Sequence, residues 1–220
     1  MKLKWISITI CLAATAGPAL ASDYNGPDII ADQVMDGGGK GKVYRSQRGM
    51  RVESSTPSGK MTMAMDNKTG QCWSAYDSKK IYMAGKLTKG GDCTANMSMG
   101  SPMGGEVHET SGLLSNQPCA GADLKKQLGE ETHQGRSVEK WACGYSATRT
   151  EGLQWYDARL KLVVRDQLDG RNDSLVNIKK QSVPATAFSL PRGYRKVSKS
   201  QFMQIVMSDV MSKMMNSPGR

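Results

Sequence analysis

Sulfur dominates the residues able to do chemistry in this chain: 15 Met and 5 Cys stand against 2 His and 2 Phe. Met61, Met63 and Met65 alternate, so a strand carrying them projects all three thioethers from one face. Met97, Met99 and Met103 cluster in a stretch rich in Gly and Ser. Two chemistries suit such groups. As soft, unbranched hydrophobes they fill a core or line a cavity for apolar chains of variable shape. As soft ligands they select Cu(I). For that task Met97, Met99 and Met103 on one loop converge better than residues along one strand, where successive same-face positions lie about 6.6–7 Å apart.

Catalytic signatures do not complete themselves. Gly144-Tyr145-Ser146 runs into Ala147-Thr148, so the last glycine of a nucleophile elbow is missing. His108-Glu109 is followed by Thr110-Ser111-Gly112, which supplies no second His one helical turn on. Gly41-Lys42 runs into Val43, and Asp36 stands where a phosphate loop needs its first Gly. The expectation is a non-enzymatic protein that needs no cofactor.

The first 21 residues read as a cleaved export signal. Lys2 and Lys4 form a positive start, Trp5 to Ala14 a short apolar run, and Ala19-Leu20-Ala21 an A-x-A site before Ser22. Cys11 lies within the apolar run, so it is not the lipidated first residue of a mature chain, and an unanchored periplasmic protein is expected. Removal of residues 1–21 leaves 199 residues with net charge +8, 14 Met and four Cys. Those four, Cys72, Cys93, Cys119 and Cys143, contain no C-x-x-C pair, and an even count in an exported chain favours two disulfides. Three connectivities are possible; sequential pairing, Cys72 with Cys93 and Cys119 with Cys143, closes the shorter loops.

The elements that must position these residues are mostly strands. Alternation broken by turn residues marks 42–46, 50–54, 61–65, 71–76 and 80–84, then 136–145, 153–157, 160–166 and 174–181. Turn signals every 8–12 residues in the first half argue for antiparallel hairpins. A short helix is predicted around 121–128. Residues 85–118 read as a flexible loop rich in Gly, Ser and Met. At the C-terminus Ser198 and Gln201 form a capping box. After it Phe202, Met203, Val206, Met207, Val210, Met211 and Met214 fall within an arc of about 180°, predicting an amphipathic helix over 198–216.

The full chain carries 30 Lys+Arg against 20 Asp+Glu, a formal charge of +10. These residues are scattered, with four between Arg192 and Lys199 the densest run, and no basic-aromatic interleaving occurs. A solvated basic surface, or peripheral contact with an anionic membrane, fits better than nucleic acid. No apolar stretch approaches 18 residues, which excludes a polytopic membrane protein.

Ordered landmarks resemble a known family. Gly41-Lys42-Val43-Tyr44-Arg45, Met50-Arg51-Val52-Glu53, Asp66, Trp73, Tyr76, Lys80 and Tyr82-Met83 are similar to the first half of the periplasmic lipoprotein-carrier superfamily (LolA/LppX-like). Gly129-Glu130-Glu131, Gly135-Arg136, Lys140-Trp141, Trp155-Tyr156-Asp157, Leu160 to Arg165 and Phe188 to Tyr194 resemble its later landmarks. The resemblance spans roughly residues 28–195. It implies a mainly β, α+β chain: an open antiparallel half-barrel of about ten strands with a helical lid, occupying 22–197, followed by the C-terminal helix. It also implies an acyl chain or a lipidated protein as ligand. On this reading Val52, Met61, Met63, Met65, Ile81 and Met83 line the ligand cavity. The terminal helix, through Met203, Met207, Val210, Met211 and Met214, plugs that cavity or docks an envelope protein. A copper-handling protein and an assembly factor acting through the helix are the alternatives.

Overall fold

The computed structural model describes residues 24–56, 59–88, 93–94, 112–146, 150–168 and 170–215. The predicted signal, residues 1–21, and the loop methionines Met97, Met99 and Met103 lie outside the described residues.

The first half of the chain is an antiparallel meander of β1 (Ile29–Val34), β2 (Lys40–Ser46), β3 (Gly49–Thr56), β4 (Gly59–Asp66), β5 (Gln71–Tyr76) and β6 (Ile81–Lys86). The second is a meander of β7 (Leu124–His133), β8 (Arg136–Tyr145), β9 (Thr150–Asp157), β10 (Leu162–Leu168) and β11 (Arg171–Lys180). Antiparallel pairing of β1 with β11 joins the two into one open sheet. A two-residue strand, β12 (Arg195–Lys196), adds parallel to β6 at one edge, making twelve strands where about ten were expected. A single α-helix occurs among the described residues, α1 (Lys199–Met215).

Register fixes which side chains share a face. Ile29, Arg45, Met50, Met65, Cys72 and Gly85 oppose one another in one row across β1 to β6. Ala31, Val43, Val52, Met63, Ser74 and Met83 form the next row two residues along. Because strand side chains alternate, both rows lie on one face, here the inner face. The α1 helix covers one part of it: Phe202 and Val206 pack into a buried cluster with Met65, Cys72, Tyr76, Ile81 and Met83. The other part is filled by Tyr24, Leu113 and Leu160 packed on Ile29, Val43, Leu162, Val164 and Leu175. The outer face is crossed by the segment from Val183 to Tyr194, with Phe188 against Tyr44 and Tyr194 against the Trp73 cluster.

The helix predicted around 121–128 is instead the entry into β7. Leu124, Lys125, Lys126 and Gln127 are good helix formers, but Leu124 to Gln127 pair in register with Gly144 to Trp141 of β8. Asp123 accepts a hydrogen bond from the Ser146 amide, which holds the hairpin's open end together. The hairpin's other end turns at Gln134 and Gly135, both in the left-handed region, as a two-residue turn of this twist requires. Strand β10 begins at Leu162, two residues later than predicted, because Leu160 and Lys161 form the preceding turn and Lys161 is left-handed.

The predicted Gly/Ser/Met loop, 85–118, is built into the sheet at both ends. Lys86 closes β6 and Leu87 bridges to Cys93. At the far end Leu113 is buried, and the Leu114 amide and Ser115 carbonyl bond the backbone of Val163, where β10 has parted from β11.

Candidate functional site

The strands that carry the methionines make the inner face soft and apolar. Val52, Met61, Met63, Met65, Ile81 and Met83 all stand on it. Met65, Ile81 and Met83 are buried under α1, and Met61 and Met63 pack against the same cluster from half-buried positions. Val52 lies one step away, against the Tyr24 cluster. Met61, Met63, Met65, Ile81 and Met83 therefore form a floor with α1 as its cover, and Val52 stands beyond the edge of that cover.

The helix starts where the capping box predicts. Gln201 accepts from the Ser198 amide at 3.1 Å, and the Gln201 amide donates to Ser198 Oγ at 3.3 Å. Its buried side differs from the methionine stripe. Phe202 and Val206 are buried, with Ile205 and Val210 packed beside them. Met203 and Met207 are half-buried, and Met211 is 54% exposed. The side chain of Met214 lies outside what the structure describes. The helix thus turns its branched and aromatic residues inward, leaves Met203 and Met207 at the margin of the contact, and turns Met211 outward. Ile205, which the spacing argument omitted, is among the docked residues.

A polar latch fixes the far end of α1. Tyr76 Oη donates to Asp209 Oδ2 at 2.6 Å, while Lys79 and Lys213 each bring an ammonium within 2.8 Å of the same carboxylate. These donors hold the Asp209 carboxyl well below the usual carboxylate range, Lys213 contributing most. The latch joins the helix to Tyr76, the last residue of β5, and to the turn at 77–79.

Both disulfides form in the sequential pairing. Cys72–Cys93 ties β5 to the segment after β6 within the α1 cluster, and Cys119–Cys143 ties the strap after Leu113 to β8. Two closed disulfides are the chemistry of an oxidising compartment, extracellular or periplasmic.

Three features of the inner side lie beyond the sequence reading. Arg45 is 1% exposed, stacks on the Tyr24 ring at 4.6 Å, and has no hydrogen-bond partner for Nε or Nη1. Burial lowers its pKa to about 10, so it stays charged at neutral pH. Its strand parity was the available signal: it shares the alternation of Val43, a fully buried residue. Asp166 is buried where the strap crosses, accepting from Gln154 Nε2 at 3.0 Å and from the Gly112 amide at 3.2 Å. Burial pushes its carboxyl up to about 6. Gln154 in turn accepts from the Cys119 amide at 2.7 Å, so this pair anchors both ends of the strap. The third is the latch at Asp209.

A groove of about 560 Å³ lies on the outer face, where Arg51, Lys60, Trp73 and Tyr194 meet the 189–192 segment. Arg51 spends its donors on Glu53 and the Ala187 carbonyl, and Trp73 Nε1 donates to the Phe188 carbonyl at 3.0 Å. These bonds hold the crossing segment down. No group of three or more His, Cys, Asp or Glu side chains able to hold a metal ion occurs among the described residues.

No family model matches the chain, and no curated protein matches it. Solved structures share its fold. An uncharacterised conserved protein from Thermus thermophilus is 10% identical and superposes with a TM-score of 0.53 over 80% of this chain and 93% of its own. The MucA/MucB complex of Pseudomonas aeruginosa contains a chain 11% identical, matched over 82% of this protein and 61% of its own length with a TM-score of 0.48. LprF from Mycobacterium bovis is 10% identical over 77% of this chain and 91% of its own, with a TM-score of 0.38. At such identities the likeness is one of fold, and it rests on the Thermus protein.

Proposed function

We propose that this is a non-enzymatic binding protein of the periplasm that takes an acyl chain, free or borne by a lipidated partner, between the methionine floor and α1. The observation that carries this reading is the construction of that layer. A floor of Met50, Met61, Met63, Met65 and Met83 is covered by one helix rather than by a second sheet. Methionine side chains adapt to chains of variable shape. A cover held by Phe202, Val206 and one polar latch is separable from the sheet at far smaller cost than a strand of it. Burial of acyl surface on the floor then contributes roughly 25 cal/mol per Å².

The test is native mass spectrometry and lipid extraction of protein purified from the periplasm, with titration of fluorescent fatty acids alongside. Co-purified lipid and saturable binding support the reading. An empty protein that binds none of the fatty acids refutes it.

A second reading, an assembly factor acting through α1, draws on the methionines the helix leaves accessible: Met203 and Met207 are half-buried, Met211 is 54% and Met215 81% exposed. Replacing Met203, Met207 and Met211 by Ser would then abolish a partner complex while leaving acyl binding intact.

A further inference from the structure

We propose that Arg45 is the anchor for the anionic oxygen head of an amphiphilic ligand whose apolar tail lies along the methionine floor. The inference rests on the acyl-binding reading and deepens it, because it assigns the ligand a charged end and a direction.

The guanidinium is buried, with Nε and Nη1 both unpaired. Among the described residues, the titratable group set against it is the Tyr24 phenol, and that phenol is no counter-ion. It donates its proton to the Pro27 carbonyl at 2.7 Å, and burial raises its pKa to about 12, so it stays neutral. The ring offers its face instead, at 4.6 Å, which orients the guanidinium plane without satisfying its donors. A permanently charged side chain kept in the interior with open donors is among the most costly arrangements a fold can retain. Arginine is also the side chain whose planar fork fits a carboxylate or phosphate through two parallel hydrogen bonds. An anion that enters with a ligand supplies both the missing charge and the missing acceptors.

The position gives the tail its course. Arg45 lies in the row that continues through Met50, Met65 and Cys72 on successive strands. Three strand spacings separate Arg45 from Cys72, roughly 14 Å. Met50 packs on the α1 cluster, whereas Ile29, on the other side of Arg45, belongs to the Tyr24 cluster. Arg45 therefore stands at the seam between the helix-covered floor and the part of the sheet that the strap and Tyr24 have filled. A tail leaving Arg45 toward α1 meets the methionine side chains of that cluster, whereas in the other direction it meets the Tyr24 cluster.

The experiment compares palmitic acid, methyl palmitate and a lysophosphatidic acid on the intact protein and on Arg45→Met and Arg45→Lys, with folding checked by circular dichroism. The expected result is that the wild type binds the two anionic amphiphiles about tenfold or more tighter than the ester. Arg45→Met abolishes that preference while keeping ester binding, and Arg45→Lys keeps a part of it. Preference for palmitic acid alone, or for the phosphate alone, supports the anchor and identifies the head group. Equal wild-type affinity for acid and ester overturns the inference but leaves acyl binding standing, and it does so without recourse to any variant. Failure of all three amphiphiles to bind overturns the acyl-binding reading itself.

Discussion

Two buried ionisable residues carry opposite lessons. Arg45 keeps its charge in an apolar place, so its removal relieves a cost. Arg45→Met, which preserves length without charge, is expected to raise the thermal midpoint of the ligand-free protein by a few degrees, about 2–4 °C for each kcal/mol relieved in a domain of this size. A fall in midpoint by calorimetry would show that the Tyr24 stack is worth more than the buried charge. Asp166 responds to cost by holding its proton. Its folded pKa, about 6, lies above the ordinary carboxylate value, so the folded state binds more protons than the unfolded state between about pH 4 and pH 6. The stabilising contribution is therefore complete below about pH 4 and is lost as pH rises through 6. It amounts to about 2–3 kcal/mol. Urea unfolding of the wild type and of Asp166→Asn at pH 4.5 and pH 7.5 checks this: the difference between the two proteins should shift by that amount, the wild type losing ground at the higher pH.

At the scale of elements, α1 separates spacing from packing. The capping box and the apolar repeat place the helix, and β5 and β8 have the bounds that alternation predicts. The face that docks was less legible, because an arc of about 180° tolerates several rotations of the helix. Branched and aromatic side chains win the buried side, while methionine tolerates either environment. Phe202→Ala should thus cost about 3–5 kcal/mol, whereas Met211→Ala should stay within about 0.5 kcal/mol, both measured by chemical denaturation. The strand β7 carries a helix-like sequence for a related reason. Its side chains are nearly all exposed, so no alternation marks it, and it exists because β8 offers a hydrogen-bonding edge. Lys125, Lys126, Glu130 and Glu131 keep its free edge charged, which protects an open sheet from pairing with another chain. The tie from the Asp209 latch to the sheet is likewise invisible in sequence, since Tyr76 and Lys79 stand more than a hundred residues away and only Lys213 is local. Asp209→Asn should raise amide exchange along residues 209–215 while leaving the end capped by Ser198 protected. Because the Asp209 carboxyl is held well below its ordinary range, wild-type α1 stays latched across neutral pH. It loses the latch only in strong acid, as pH falls through that depressed pKa.

For the whole molecule, the governing fact is that two meanders meet at β1 and β11, so neither half folds its inner face without covering segments drawn from elsewhere in the chain. The two disulfides tie such segments down, one on each half. Cys72–Cys93 spans 21 residues and sits within the α1 cluster; Cys119–Cys143 spans 24 and fixes the end of the strap at Gln154. Loops of this length give each bond about 3 kcal/mol by restricting the unfolded chain. Similar loop lengths predict similar losses of global stability for Cys72→Ser/Cys93→Ser and Cys119→Ser/Cys143→Ser. The local consequences differ. The first pair should loosen the segment beside α1 and speed entry and release of an acyl probe, because Cys72 stands in the same row as Arg45, within the α1 cluster. The second should raise exchange at the Gly112 and Cys119 amides and leave probe kinetics unchanged. If stopped-flow binding responded equally to both, the methionine floor would not be a separate compartment of the inner face, and the division of labour between α1 and the strap would fall with it.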